Sequence, residues 1–184
     1  MGMVTVIIVS VVLEVFLNTN VVNSNLVMMT RLNCSLDENI CLHNICKLTL
    51  VRKKVNLIDF ACYFEKKQDD LMFRLQLHRI GSGARKIIDA TEDFCQMISK
   101  EGRGSVLTRF IPSVEGHGNI LSKCPLIGNV TLMRYPMDFS FVPFVLTPGN
   151  YRLIATFRSK NSTKKQPLIN GDLYFSVRKM FRKK

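Results

Sequence analysis

The chain has 184 residues, 47% of them hydrophobic and 22% charged, with a formal net charge of +12. That length suits one ordinary domain with a real core, and twelve Phe on an apolar background exclude a disordered polymer. The basic excess alone would fit a nucleic-acid binder, but six cysteines and an apolar N-terminus compete with that reading.

The first segment, Met1 to Leu17, is apolar and gives way to Asn18-Thr19-Asn20. Its run from Val4 to Leu17 has the length of an export-signal core and falls short of the ~20 residues that span a bilayer. No basic residue precedes it and Glu14 interrupts it. The small-residue cleavage rule is best met by Val22-Asn23-Ser24, so residues 1–24 are expected to be a signal peptide. Residues 25–184 then form one secreted domain. The competing reading of residues 1–24 is a buried element or an uncleaved anchor.

Period-two alternation dominates the body. Ile58, Phe60, Cys62 and Phe64 share one face, as do Leu71, Phe73, Leu75 and Leu77. Further on, Tyr151, Leu153, Ala155 and Phe157 oppose Arg152, Ile154, Thr156 and Arg158, and Leu173, Phe175 and Val177 oppose Asp172, Tyr174, Ser176 and Arg178. Weaker alternation covers Lys47–Lys53 and Asn129–Met133. About seven antiparallel strands with one wet face each predict an all-β sandwich, immunoglobulin-like in layout. Between the third and fourth strands, Ile87, Ala90, Phe94, Met97 and Ile98, then Val106, Leu107, Phe110 and Ile111, fall at helical spacing. Lys86–Ser113 is therefore expected to be mostly helix and loop. The stretch Arg134–Gly149 carries Tyr135, Phe139, Phe141 and Phe144 with Pro136, Pro143 and Pro148, so it predicts an edge strand or an ordered apolar loop.

Catalytic signatures are missing: no G-x-S-x-G, no G-x-G-x-x-G after a strand and no phosphate-binding P-loop occurs. Gly81-Ser82-Gly83 predicts a hairpin turn, and Asp89, Glu92 and Asp93 fit the exposed face and N-terminal charge of a short helix better than a glycosidase pair. His117, between two glycines, fits a loop histidine better than a mobile base. No enzyme activity and no cofactor are expected. The scattered His43, His78 and His117 and the lack of short cysteine pairs argue against a metal site.

In an exported chain, Cys34, Cys41, Cys46, Cys62, Cys95 and Cys124 are expected to pair as disulfides, in one of fifteen connectivities. Sequons at Asn33, Asn129 and Asn161 suit the same compartment as glycosylation sites. Basic clumps at Arg52-Lys53-Lys54, Lys66-Lys67, Lys164-Lys165 and Arg178–Lys184 are solvated ends or an attraction to anionic membrane surface or sulfated glycan. Export removes nucleic acid from the expected partners.

Three motifs carry a resemblance. Asp93-Phe94-Cys95-Gln96-Met97-Ile98 resembles a D-x-C-x-F-h motif, Asn119 to Pro125 resembles N-x-x-x-x-C-P, and Pro148-Gly149-Asn150-Tyr151-Arg152-Leu153 resembles P-x-G-x-Y-R-h. In order and spacing they are similar to a group of insect secreted proteins that includes the CheB-type chemosensory proteins, related to the ganglioside-activator and ML lipid-recognition superfamily. The likeness covers about residues 34–178. Met97 stands where the group commonly has Phe, and Cys41 and Cys62 lie outside its usual cysteine set. The resemblance implies an ML-like sandwich with a hydrophobic pocket, a chemosensory or pheromone-type role, and pairing of Cys34 with Cys46 and of Cys95 with Cys124. Cys41 and Cys62 are left as a third bridge, or Cys62 as a buried thiol.

The expected protein is thus a monomeric secreted binder of lipid or another hydrophobic ligand. Its candidate pocket residues are Phe60, Phe73, Leu75, Leu153 and Phe157 on strands, with Phe139, Phe141 and Phe144 at a rim. The alternative is a disulfide-bonded extracellular module that binds a receptor and has no pocket. An apolar cavity above ~300 Å³ would favour the first and a filled core the second.

Overall fold

The alternating runs become eight strands in a computed structural model that describes residues 25–51, 55–99, 107–137, 139, 146–161 and 167–179. They are β1 (Asn25–Leu36), β2 (Leu42–Val51), β3 (Val55–Gln68), β4 (Leu71–Ile80), β5 (Arg85–Asp93), β6 (Leu126–Pro136), β7 (Gly149–Ser159) and β8 (Ile169–Lys179). Two short helices, α1 (Phe94–Ile98) and α2 (Ile111–Val114), lie between β5 and β6. Five strands in the order β1-β8-β7-β4-β5 form one sheet and β2-β3-β6 the other, all paired antiparallel. The fold is an all-β sandwich.

The inward faces are those the alternation marks: Leu71, Phe73, Leu75 and Leu77 on β4 and Leu173, Phe175 and Val177 on β8 are all buried. Three strands cannot cover five at ~4.8 Å per strand. α1 and residues 107–121 pack over the rest, with Phe94, Met97, Leu107 and Val114 buried against the core.

Helical spacing misled over Lys86–Asp93, which is strand β5 rather than helix. Ile88 is buried and Ala90 half-buried on the inner face, while Asp89 turns out to hydrogen-bond Arg74 on β4 and Lys86. Only Phe94–Ile98 and Ile111–Val114 of Lys86–Ser113 are helical among the described residues. The extra strand, β1, begins at Asn25 and is not among the runs marked by alternation. Its pairing with β8 along nearly its whole length supplies the side chains that a short apolar alternation does not advertise. Residues 1–24, where a signal peptide is expected, lie outside the described residues.

Three disulfides fasten the frame: Cys34–Cys46, Cys41–Cys62 and Cys95–Cys124. The first joins β1 to β2 across the two sheets, the second ties the entry of β2 to β3 within one sheet, and the third links α1 to the approach to β6. Cys62 is therefore bridged, not a free thiol. Among the described residues no helix is long and apolar enough to cross a membrane.

Candidate functional site

Large and small side chains alternate by row across the inner face of the five-stranded sheet. One row reads Leu32, Leu173, Leu153, Leu77 and Ile88, and another reads Leu36, Ile169, Phe157, Phe73 and Glu92. Between them lies Cys34, Gly171, Ala155, Leu75 and Ala90. Native interiors leave few voids larger than a water molecule, so three adjacent small residues need a bulky partner from the facing sheet. The facing rows, Cys46-Phe60-Leu132 and Leu48-Ile58-Tyr135, do not fill the gap.

The result is an apolar cavity of about 140 Å³ between the sheets. Its floor is Cys34, Gly171 and Ala155 with their large neighbours, and its roof is Phe60, Ile58, Leu132 and Tyr135. The inter-sheet bridge Cys34–Cys46 forms one side wall, and Phe94 and Met97 of α1 with Phe110 and Val114 form the other. Aromatic rings dominate. Phe73 contacts Phe157 at 4.9 Å, Phe94 at 6.4 Å and Phe110 at 6.4 Å between centroids, and Tyr135 stands edge-on to Phe110 at 6.2 Å. These distances suit the offset and edge-to-face arrangements that aromatic pairs prefer. The buried Tyr135 hydroxyl lies 3.0 Å from Ser113 Oγ, which donates to the Phe110 carbonyl, so the polar end of the tyrosine is anchored to the α2 segment. A second apolar void of about 10 Å³ shares Phe60, Phe157, Ile120 and Ile169 as walls.

Of the expected pocket residues, Phe60, Phe73, Leu153 and Phe157 line the cavity. Leu75 is buried in the small-residue row but is not part of the wall. Phe139 lies elsewhere, packed on Phe175 at 4.3 Å. Phe141 and Phe144 fall outside the described residues. Sequence reasoning passed over Phe94, Met97, Phe110 and Tyr135, because their contribution depends on how α1 and the loop after it fold back. Gly171 was equally hidden: its signal is the odd glycine at an inward position of a strand, which marks a close approach or a space.

The other singled-out residues have structural partners. Asp93 caps α1, accepting from Gln96 N at 3.0 Å and pairing with Lys160. Partial burial works against its ionised form, but the Lys160 ammonium and the Gln96 amide outweigh it and hold the carboxyl below the ordinary range. Arg74 and Lys86 do the same for Asp89 on the outer face, each by a hydrogen bond. His117 stands edge-on to the Tyr135 ring at 5.5 Å. Next to it Gly118 crosses β6 so closely that a Cβ would collide with the Thr131 carbonyl. Gly81 and Gly83, with φ of 89° and 75°, form the β4–β5 turn. Asn33, Asn129 and Asn161 are all exposed. Lys66 and Lys67 are exposed on β3, as are Arg178 and Lys179 at the end of β8, whereas Arg52-Lys53-Lys54 and Lys164-Lys165 lie outside the described residues.

All three motifs hold the frame. Asp93, Phe94, Cys95 and Met97 build and staple α1. Asn119 fixes its loop on β6, accepting from Thr131 N at 2.7 Å and donating to the Asn129 carbonyl at 2.7 Å. Tyr151 stacks on Phe175 and donates to the Thr147 carbonyl at 2.6 Å. Residues 71–153 match a protein family described as "Protein of unknown function (DUF1091)". The matched span holds all three motifs and covers less than half of the 184-residue chain. No match to a curated protein was found. The match supplies no chemistry, which has to come from the cavity.

Proposed function

We propose that this protein is a secreted, non-enzymatic binder of a hydrophobic ligand, of the kind that the CheB-type and ML-like resemblance implies, with a part in chemosensory perception. The observation that carries this reading is the aromatic cavity between the two sheets, whose wall offers almost no polar surface to a ligand. Its volume of about 140 Å³ is below the ~300 Å³ of ordinary ligand sites but near that of an engineered apolar cavity that stays dry and takes up benzene. Three disulfides and three exposed sequon asparagines suit an oxidising, glycosylating export route.

A second reading has its own support. Ile45, Tyr63 and Ile127 are between 42% and 47% exposed on strands of the three-stranded sheet, and a receptor-binding module could use that surface. Mass spectrometry of organic extracts from natively purified, secreted protein tests the first reading. A hydrophobic compound recovered above a control protein is the expected result, and recovery of none overturns it.

A further inference from the structure

We propose that the cavity selects compact, ring-bearing molecules of about the size of one substituted benzene, and that Gly171 and Ala155 set this limit. The inference rests on the hydrophobic-ligand reading and narrows its ligand class: long acyl chains and sterols are excluded as the preferred occupants.

Three features of the wall lead to it. The first is size, since about 140 Å³ matches a benzene-sized guest and falls well short of the volume that larger ligands occupy. The second is shape. The space exists because Gly171 and Ala155, paired across β8 and β7, replace bulky side chains in one row, while the rows on either side are large. That sets the space at the Cys34, Gly171 and Ala155 row, between Leu153 and Leu173 on one side and Phe157 and Ile169 on the other. Extension toward the neighbouring void is blocked by Phe60 and Phe157, which wall both spaces. The third is chemistry. Phe60, Phe73, Phe94, Phe110, Tyr135 and Phe157 surround the gap, and an aromatic guest gains offset and edge-on contacts that an alkyl chain does not.

Gly171 is open to test because its backbone tolerates a side chain. Among the described residues, the only atom that an added Cβ would approach within 4 Å is the Ala155 carbonyl oxygen, at 3.9 Å. A longer side chain at residue 171 would therefore grow into the cavity without displacing the sheet.

The experiment uses the secreted protein with its disulfides intact, stripped by mild organic extraction and titrated with toluene and with dodecanoic acid. Saturation is followed by NMR shifts and by the rise in Tm that a native-state ligand produces. Toluene is expected to bind at one site at least tenfold more tightly than dodecanoic acid. Gly171→Leu should weaken toluene at least tenfold without lowering the Tm of the free protein, and Ala155→Val serves the same purpose if the first variant does not fold. Phe157→Ala should shift the preference toward dodecanoic acid. Dodecanoic acid as the tighter ligand of the unmodified protein overturns the size limit and leaves the hydrophobic-ligand reading standing. Binding of neither probe, with no compound in the extract, overturns both. Unchanged toluene affinity in the residue 171 and 155 variants refutes their role in selection.

Discussion

Replacing Gly171 with alanine should stabilise the protein, and the structure indicates by how much. Glycine within a strand loses more conformational freedom on folding than alanine does, a difference of roughly 0.5–1 kcal/mol where the backbone suits both. Gly171 meets that condition, because it pairs regularly with Cys34 and Ala155 and a Cβ there has no contact closer than 3.9 Å. The added methyl group would also leave water for an apolar wall, a gain of about 0.8 kcal/mol. Together the two effects amount to about 1–2 kcal/mol. For a domain of this length each kcal/mol moves Tm by ~2–4 °C, so a rise of about 3–7 °C is expected. Calorimetry under non-reducing conditions measures it, with a urea titration to show an increased midpoint at unchanged slope. A Tm equal to or below that of the parent would refute the reasoning, since it would mean that the space beside Gly171 is not open or that the strand cannot accept a side chain.

Three other outcomes follow from named contacts. Chain entropy assigns a loss of ~3–4 kcal/mol to Cys95→Ser/Cys124→Ser, whose bridge closes a separation of 29 residues. Cys41→Ser/Cys62→Ser should cost more despite the shorter separation of 21 residues, because Cys41 and Cys62 are 1% and 0% exposed and the new hydroxyls would be buried; urea midpoints rank the two. Phe157→Ala should destabilise by ~3–5 kcal/mol in the same assay, as it removes a buried ring that contacts both Phe73 and Phe94. For Asp89, hydrogen bonds from Arg74 and then Lys86 hold the folded-state carboxyl below its ordinary range. Its contribution is therefore full above an unfolded pKa of about 3.9 and is lost as pH falls through the folded value. Asp89→Asn should lower Tm slightly at neutral pH and converge with the parent in strong acid, and thermal melts from pH 7 downward check this; a constant offset at all pH values would contradict it.

The sandwich was legible because its inner faces are written in period two. β4 shows Leu or Phe at every second position from Leu71 to Leu77, and Tyr151, Leu153 and Phe157 on β7 and Leu173, Phe175 and Val177 on β8 keep the same period and are likewise buried. Ala61 shows the limit of the rule: it lies on the outward face of β3 and is nonetheless 6% exposed, because its neighbours across the strands cover a small side chain. β5 was lost for a related reason. Its inward residues are Ile88, Ala90 and Glu92, too few and too mixed to outweigh the helical spacing that Phe94, Met97 and Ile98 impose just downstream. Within the site, Phe60, Phe73, Leu153 and Phe157 could be found from alternation because strands carry them. Phe94, Phe110 and Tyr135 reach the cavity through α1, the covering segment and the bulged end of β6, where facing depends on tertiary packing.

Phe94, Met97, Ile120, Leu121 and Leu153 belong both to the motifs and to the cavity wall, but Cys34, Gly171 and Ala155, the small residues that open the space, lie outside the motifs. Asp93, Cys95, Asn119, Cys124 and Tyr151 each make a cap, a bridge or a loop clamp, with requirements of geometry that few residue types satisfy. The cavity requires only that a row across the sheet be small where its neighbours are large. Many residue types meet such a condition, and changing Gly171 or Ala155 alters the space without touching a cap, a disulfide or a clamp. A chain that keeps the motifs thus keeps the sandwich while the space between the sheets opens, narrows or closes with one or two substitutions. Residue size at the row Cys34, Gly171, Ala155, Leu75 and Ala90 accordingly sets the space between the sheets more directly than the motifs do.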